Sequence, residues 1–180
     1  VAVQRRVALE CETALIGSIP SRRTLNTNVA VDAITARTGI ASGTSNFILS
    51  QMQAGANYAA ALQAAQAKGF AEADPTNDVE GLDASYKLLI LSRLAFNLDP
   101  TLASIKRLGI TTLRRADFAA ADFFGYTIKP LVSAVRHDAQ LSLTVAPTLV
   151  PKAHPLAGVA NEFNAIVLAS ANTNSLMLTG

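Results

Sequence analysis

Five carboxylates, Glu72, Asp74, Asp78, Glu80 and Asp83, fall within twelve consecutive positions, and Lys87 follows Asp83 by four. On a helix that spacing puts Lys87 and Asp83 on one face, a turn apart. Carboxylates around a cleft can hold an ammonium group, and a lysine beside them can give or take a proton at a neighbouring carbonyl or hydroxyl. The plainer alternative is a solvated surface. Acids near a helix start complement the macrodipole, and an i,i+4 Asp–Lys pair on a surface contributes roughly a few tenths of a kcal/mol. A carboxylate neighbour keeps a lysine charged while burial favours the neutral form; the sequence alone leaves that balance open.

Other chemical fingerprints are missing. No G-x-G-x-x-G follows a strand, and there is no G-x-x-x-x-G-K-[ST] and no G-x-S-x-G. His137 and His154 lack Cys or acidic neighbours at metal spacing, so a zinc site is not expected. Half of the residues are apolar and 16% are charged, as in a folded globular domain. With a net charge of +2 and no basic stripe interleaved with aromatics, a nucleic-acid partner is not expected. Cys11 is the single cysteine and fits a reducing compartment. The first residues lack the pattern of a secretory signal. The most apolar run, LLILSRLAF, is broken by Arg93 and is too short to cross a bilayer. These features predict a cytoplasmic protein with no membrane partner.

The elements that must position the acids and the lysine can be read from periodicity and punctuation. Val7 to Ile16 reads as a strand containing Glu12, ended by Gly17, Ser18 and Pro20. GIASGTSNFILSQM (39–52) reads as strand, turn and helix, with Gly43 at the turn. The Ala-rich run 57–68 predicts a helix capped by Gly69, and a polar loop spans 71–81. Leu82 to Phe96 predicts an amphipathic helix with Leu82, Tyr86, Leu89, Ile90 and Leu94 on or near one face. A short helix over 115–124 ends at Gly125. Tyr126 to Val135 and Leu141 to Val145 alternate around the turn His137-Asp138-Ala139. A proline-containing segment then leads to two strand-like runs, NAIVLAS and SLMLTG. Helices first and strands later predict an α+β fold, a mixed or antiparallel sheet with helices covering one face.

The stretch GFAEADPTNDVEGLDASYK (69–87) closely resembles the signature of homoserine dehydrogenases, G-[YF]-x-E-x-D-P-x-x-D-x-x-G-x-D-x-x-x-K. Gly69, Phe70, Glu72, Asp74, Pro75, Asp78, Gly81, Asp83 and Lys87 fill its fixed positions. ECETALIGSIP (10–20), GIASGTSNFIL (39–49), PTLVPKAHPLAGV (147–159) and FNAI (163–166) are similar to further family segments in the same order. The resemblance runs from about residue 8 to the end.

The resemblance implies reversible interconversion of aspartate semialdehyde and homoserine with a nicotinamide cofactor, NAD(P), on the route to threonine, methionine and isoleucine. It implies that Glu72, Asp78 and the Gly43-Thr44 turn hold the amino acid. Lys87 would donate the proton to the reacting oxygen, with Asp83 orienting it. Glu12, with main-chain carbonyls of Leu15, Gly17 and Ile19, would bind a monovalent cation, Na+ or K+. Residues 1–180 would form the catalytic, substrate-binding and dimerisation domain of a homodimer. The Rossmann domain that binds the cofactor is expected to lie outside this chain, which alone would then be inactive. The alternatives are a non-catalytic amino-acid-binding or dimerisation module, and a lyase using Lys87 as a Schiff-base nucleophile.

Overall fold

The computed structural model describes residues 16, 19, 34–96, 98–137, 140–170 and 175–180. Its strands are β1 (Ile34–Ile40), β2 (Ile105–Arg107), β3 (Tyr126–His137), β4 (Gln140–Pro151), β5 (Ala165–Ser170) and β6 (Leu176–Thr179). They form one sheet in the order β2-β4-β3-β1-β5-β6. Only β2 runs parallel to its neighbour; the other pairs are antiparallel. The helices are α1 (Gly43–Gln53), α2 (Tyr58–Ala67), α3 (Thr76–Val79), α4 (Leu82–Phe96) and α5 (Arg115–Phe123). None among the described residues is long and apolar enough to cross a membrane.

Alternation along β3 sorts its side chains between two faces. Val132 and Ala134, with Val145 and Leu143 opposite them on β4, pack against Ala84, Leu88, Leu89 and Phe96 of α4. Ile128, on the same face, joins a second cluster with Phe47, Ile48 and Met52 of α1, Ala61 and Ala65 of α2, and Phe118 and Ala121 of α5. The helices therefore cover one face, as the helix-then-strand order predicts.

Among the described residues the other face is covered only at one end. There Ile40, Leu131, Val150 and Ala165 pack under Leu156 and Val159, on and just after a 3-10 turn at Pro155–Gly158. The rest of that face is a row of small and β-branched residues in register. Thr38 faces Ser133 and Val167, Ser133 faces Thr144, and Val167 faces Met177. All are only partly buried.

Several expectations are corrected. The predicted strand Val7–Ile16 lies outside the described residues except for Ile16, which is helical, with the Ile19 N–H bonded three residues back to the Ile16 carbonyl at 3.1 Å. Helix α4 has the predicted bounds but buries a different face. Tyr86, Ile90 and Leu94 are 51%, 37% and 38% exposed, and of the five predicted inward residues only Leu89 is buried. The buried face includes Ser85 and Ser92 instead. Small residues let the helix approach the sheet closely, and Ser85 Oγ satisfies itself by donating to the Gly81 carbonyl at 2.7 Å. Strand β4 continues through Pro147 to Pro151 because Pro147 sits opposite Pro130, beyond the reach of β1 and β2. Two facing prolines fit where neither N–H serves the ladder. The three-residue β2 had no periodicity by which to be recognised.

Candidate active site

The site forms where α1 begins. Ser42 caps the helix, its Oγ accepting from the Ser45 N–H at 3.2 Å. The same hydroxyl donates to Asp78 Oδ1 at 3.1 Å, and Ser45 Oγ donates to the Asp78 carbonyl at 2.9 Å. Thr44 Oγ1 donates to the Phe70 carbonyl at 2.6 Å. Three hydroxyls thus fasten the first turn of α1 to both ends of the acidic loop.

The opposite side of that turn is fastened to the segment before β5. Asn46 is fully buried, and its Nδ2 donates to the carbonyls of Val159 at 3.3 Å and Phe163 at 3.0 Å. The backbone of Glu162 lies so close to Gly43 that an added Cβ would stand 2.6 Å from the Glu162 oxygen. Only glycine permits this approach.

Lys87 reaches the same place from α4. Its Nζ lies 2.8 Å from Asp83 Oδ2 and donates to the Ala41 carbonyl at 3.1 Å, immediately before the Ser42 cap. The chain reverses into α4 at Gly81, whose φ of +73° belongs to the left-handed region glycine favours. Two of the three ammonium protons are engaged, and the third has no partner among the described residues. The Lys87 side chain is 22% exposed and that of Asp83 40%, so the pair is partly sheltered. Burial pushes the Asp78 carboxyl above the ordinary carboxylate range, Asp83 adds to the rise, and Ser42 and Lys87 counter it.

Asp78, Asp83, Lys87, Gly43 and Thr44 are thereby brought together. Glu72 is not tied to them. It is exposed, its main-chain carbonyl accepts from Gln66 Nε2 at 3.1 Å, and its side chain has no partner among the described residues. Asp74 and Glu80 serve the loop itself. Asp74 caps Thr76, whose two hydrogen bonds hold its carboxyl below the ordinary range. Glu80 accepts from Thr111 at 2.9 Å. Of the expected cation ligands, Glu12, Leu15 and Gly17 lie outside the described residues. Ile19 is buried with Ile16, Leu91, Ile166 and Leu168. Among the described residues no group of three His, Cys, Asp or Glu side chains could hold a metal.

Sequence reasoning did not single out Ser42, Ser45 or Asn46. The signals were present: a serine immediately before a glycine-led helix, and an asparagine beside the apolar run Phe47-Ile48-Leu49.

Known proteins share this sequence and this fold. The family model for homoserine dehydrogenase matches residues 20–180. The homoserine dehydrogenase of Bacillus subtilis (strain 168) is 42% identical over 170 residues, covering 94% of this chain and 39% of that protein. That of Mycobacterium tuberculosis (strain H37Rv) is 43% identical over 185 residues, covering 99% and 42%. The crystal structure of a homoserine dehydrogenase from Thiobacillus denitrificans superposes with a TM-score of 0.95 at 37% identity, covering 99% of this chain and 42% of that one. A structure of S. aureus homoserine dehydrogenase gives 0.87 at 37% identity, with the same coverage. The chain thus spans about two fifths of the length of these relatives. A match across most of the chain, with the acidic loop and Lys87 gathered at the start of α1, places it in the homoserine dehydrogenase family.

Proposed function

We propose that this chain forms the amino-acid site and supplies the proton donor for reversible interconversion of L-aspartate 4-semialdehyde and L-homoserine with NAD(P), in the biosynthesis of threonine, methionine and isoleucine. The observation that carries the reading is the Lys87 ammonium, held between Asp83 and the Ala41 carbonyl beside Asp78. Asp78, assisted by Glu72, attracts the substrate ammonium. The open N–H groups at Gly43 and Thr44 face the substrate carboxylate, which the positive end of α1 favours. In the reducing direction Lys87 gives a proton to the oxygen of the aldehyde as it becomes a hydroxyl. Asp83 keeps the lysine protonated and aimed.

The nicotinamide supplies or accepts the hydride. The described residues do not fit a dinucleotide: among them no glycine-rich turn links a strand to a helix. Cofactor binding then falls to the part of the relatives' length that this chain does not span. A Na+ or K+ ion would sit on Glu12 and the carbonyls of Leu15, Gly17 and Ile19, since an all-oxygen shell suits a hard cation. Homodimerisation would use the half-covered sheet face around Thr38, Ser133 and Val167, where small side chains permit close contact. The single cysteine supports a reading in which the chain works in the cytoplasm.

Calorimetric titration with L-homoserine tests the site. We expect saturable binding by the wild type, retained in Lys87→Met and lost in Asp78→Asn with the fold intact. Binding unchanged in Asp78→Asn would contradict the assignment. Binding in every form, with no turnover in a cofactor-competent polypeptide, would favour a non-catalytic binding module.

A further inference from the structure

At the far end of α1 from the substrate site, a cleft of about 340 Å³ opens between the helix, strand β3 and the 3-10 turn at Pro155–Gly158. Its polar lining is Ser50, Gln53, Thr127, Lys129 and Lys152. Lys129 is only 6% exposed, and its Nζ donates to the Val159 carbonyl at 2.6 Å. No carboxylate among the described residues lies within ion-pair distance of it, and none lines the cleft. A buried ammonium without a counter-ion is costly, and burial pushes the Lys129 pKa down.

Of the neighbouring groups only the Gln53 amide keeps free donors among the described residues. Thr127 Oγ1 spends its proton on Gln53 Oε1 at 2.8 Å, which leaves the Gln53 amide N–H groups without a protein partner there. Ser50 Oγ donates to the Asn46 carbonyl and accepts from the Asn161 N–H. Lys152 is paired with Asp122 at 2.7 Å at the rim, so this carboxylate neutralises one lysine and leaves the other unmatched. The C-terminal end of α1 would oppose an anion, but the N–H groups of Ala54, Gly55 and Ala56 occupy carbonyls of its last turn.

We propose that this cleft binds a small oxyanion, a phosphate or carboxylate group, on Lys129 Nζ and Gln53 Nε2, with Lys152 at its mouth. The site is separate from the homoserine reading and does not depend on it.

The test is NMR of the chain with lysines labelled at the ε-carbon, titrated separately with inorganic phosphate and acetate at constant ionic strength. We expect a saturable shift of the Lys129 signal. Its pKa should rise on binding, since an anion favours the ammonium. Lys152→Met should weaken binding about tenfold by removing a nearby charge. Lys129→Met should abolish it; because that variant also releases Val159, Gln53→Leu serves as a second variant that leaves Lys129 in place and weakens binding. Saturation by phosphate alone assigns a phosphate site, and by acetate as well a general carboxylate site. A Lys129 signal unmoved by either anion, a shift of the Lys87 signal in its stead, or equal binding by the Lys152 and Gln53 variants would overturn the proposal.

Discussion

The Ser42 hydroxyl caps helix α1 and donates to Asp78 Oδ1 at 3.1 Å, so the start of the helix and the central acid of the site are one unit. Ser42→Ala removes both interactions. It should cost about 1 kcal/mol through the lost cap and raise the Asp78 pKa further, because a hydrogen bond to the charged form is gone. Urea denaturation and carbon-detected titration of the Asp78 carboxyl check the two effects separately.

Asp78 should limit stability while serving binding. Its folded pKa lies above the ordinary value, so the folded chain holds this proton to higher pH than the unfolded chain does. Stability therefore falls as pH rises from the ordinary carboxylate range through the raised pKa, and stays lower above it. Asp78→Asn removes that penalty. It should match the wild type in acid, exceed it in melting temperature at neutral pH, and lose homoserine affinity. Melting curves across the acid range would show the gap opening as pH rises.

The close approach at Gly43 leaves no room for a side chain. In Gly43→Ala the new methyl would meet the Glu162 carbonyl at 2.6 Å, a backbone atom held in place by the Asn46 bonds on either side. We expect a loss of about 1–3 kcal/mol, typical of overpacking, together with weaker homoserine binding. A stability equal to wild type in denaturant would show that the 159–163 segment yields freely.

Among the described residues Arg37 is a buried cation without a counter-ion, which the site does not explain. It is 2% exposed; Nη1 donates to the Leu91 carbonyl at 2.6 Å, while Nε and Nη2 have no partner among the described residues. Burial lowers its pKa to about 9. The folded arginine thus loses its proton before the unfolded one, so its penalty is full below that value and fades as pH rises towards the ordinary arginine range. Arg37→Met should be more stable at neutral pH by about 1–4 kcal/mol, as when buried charges give way to apolar residues. The difference should shrink in alkaline solution. A variant less stable than wild type at neutral pH would contradict this.

The bounds of α4 and the pairing of Asp83 with Lys87 were legible in the sequence because helical spacing alone sets them. The face that α4 buries was not. Periodicity favours large residues such as Tyr86 and Ile90, whereas the sheet admits Ala84, Ser85 and Ser92, which allow a closer approach. The meeting of Asp78 with Ser42 spans 36 positions, and that of Lys87 with Ala41 spans 46. No local pattern encodes such contacts; the resemblance to a family grouped the loop, the turn and the lysine before the fold did. The clamp by Asn46 reaches 117 positions to Phe163 and was invisible for the same reason. Glu72 was grouped with the site by its place in the signature, but its exposed side chain is bonded to none of the others.

The central claim is that Lys87 delivers the proton within an amino-acid site built by this chain. It is tested most directly by exchanging the chain for the matching segment of the Bacillus subtilis relative and measuring oxidation of NAD(P)H that depends on aspartate semialdehyde. We predict turnover by the chimera, and a fall in kcat of about 10²–10⁴ in Lys87→Met, the range for a lost general acid, with KM changed little. A folded chimera without turnover, or one whose Lys87→Met form works as fast as its parent, would contradict the account.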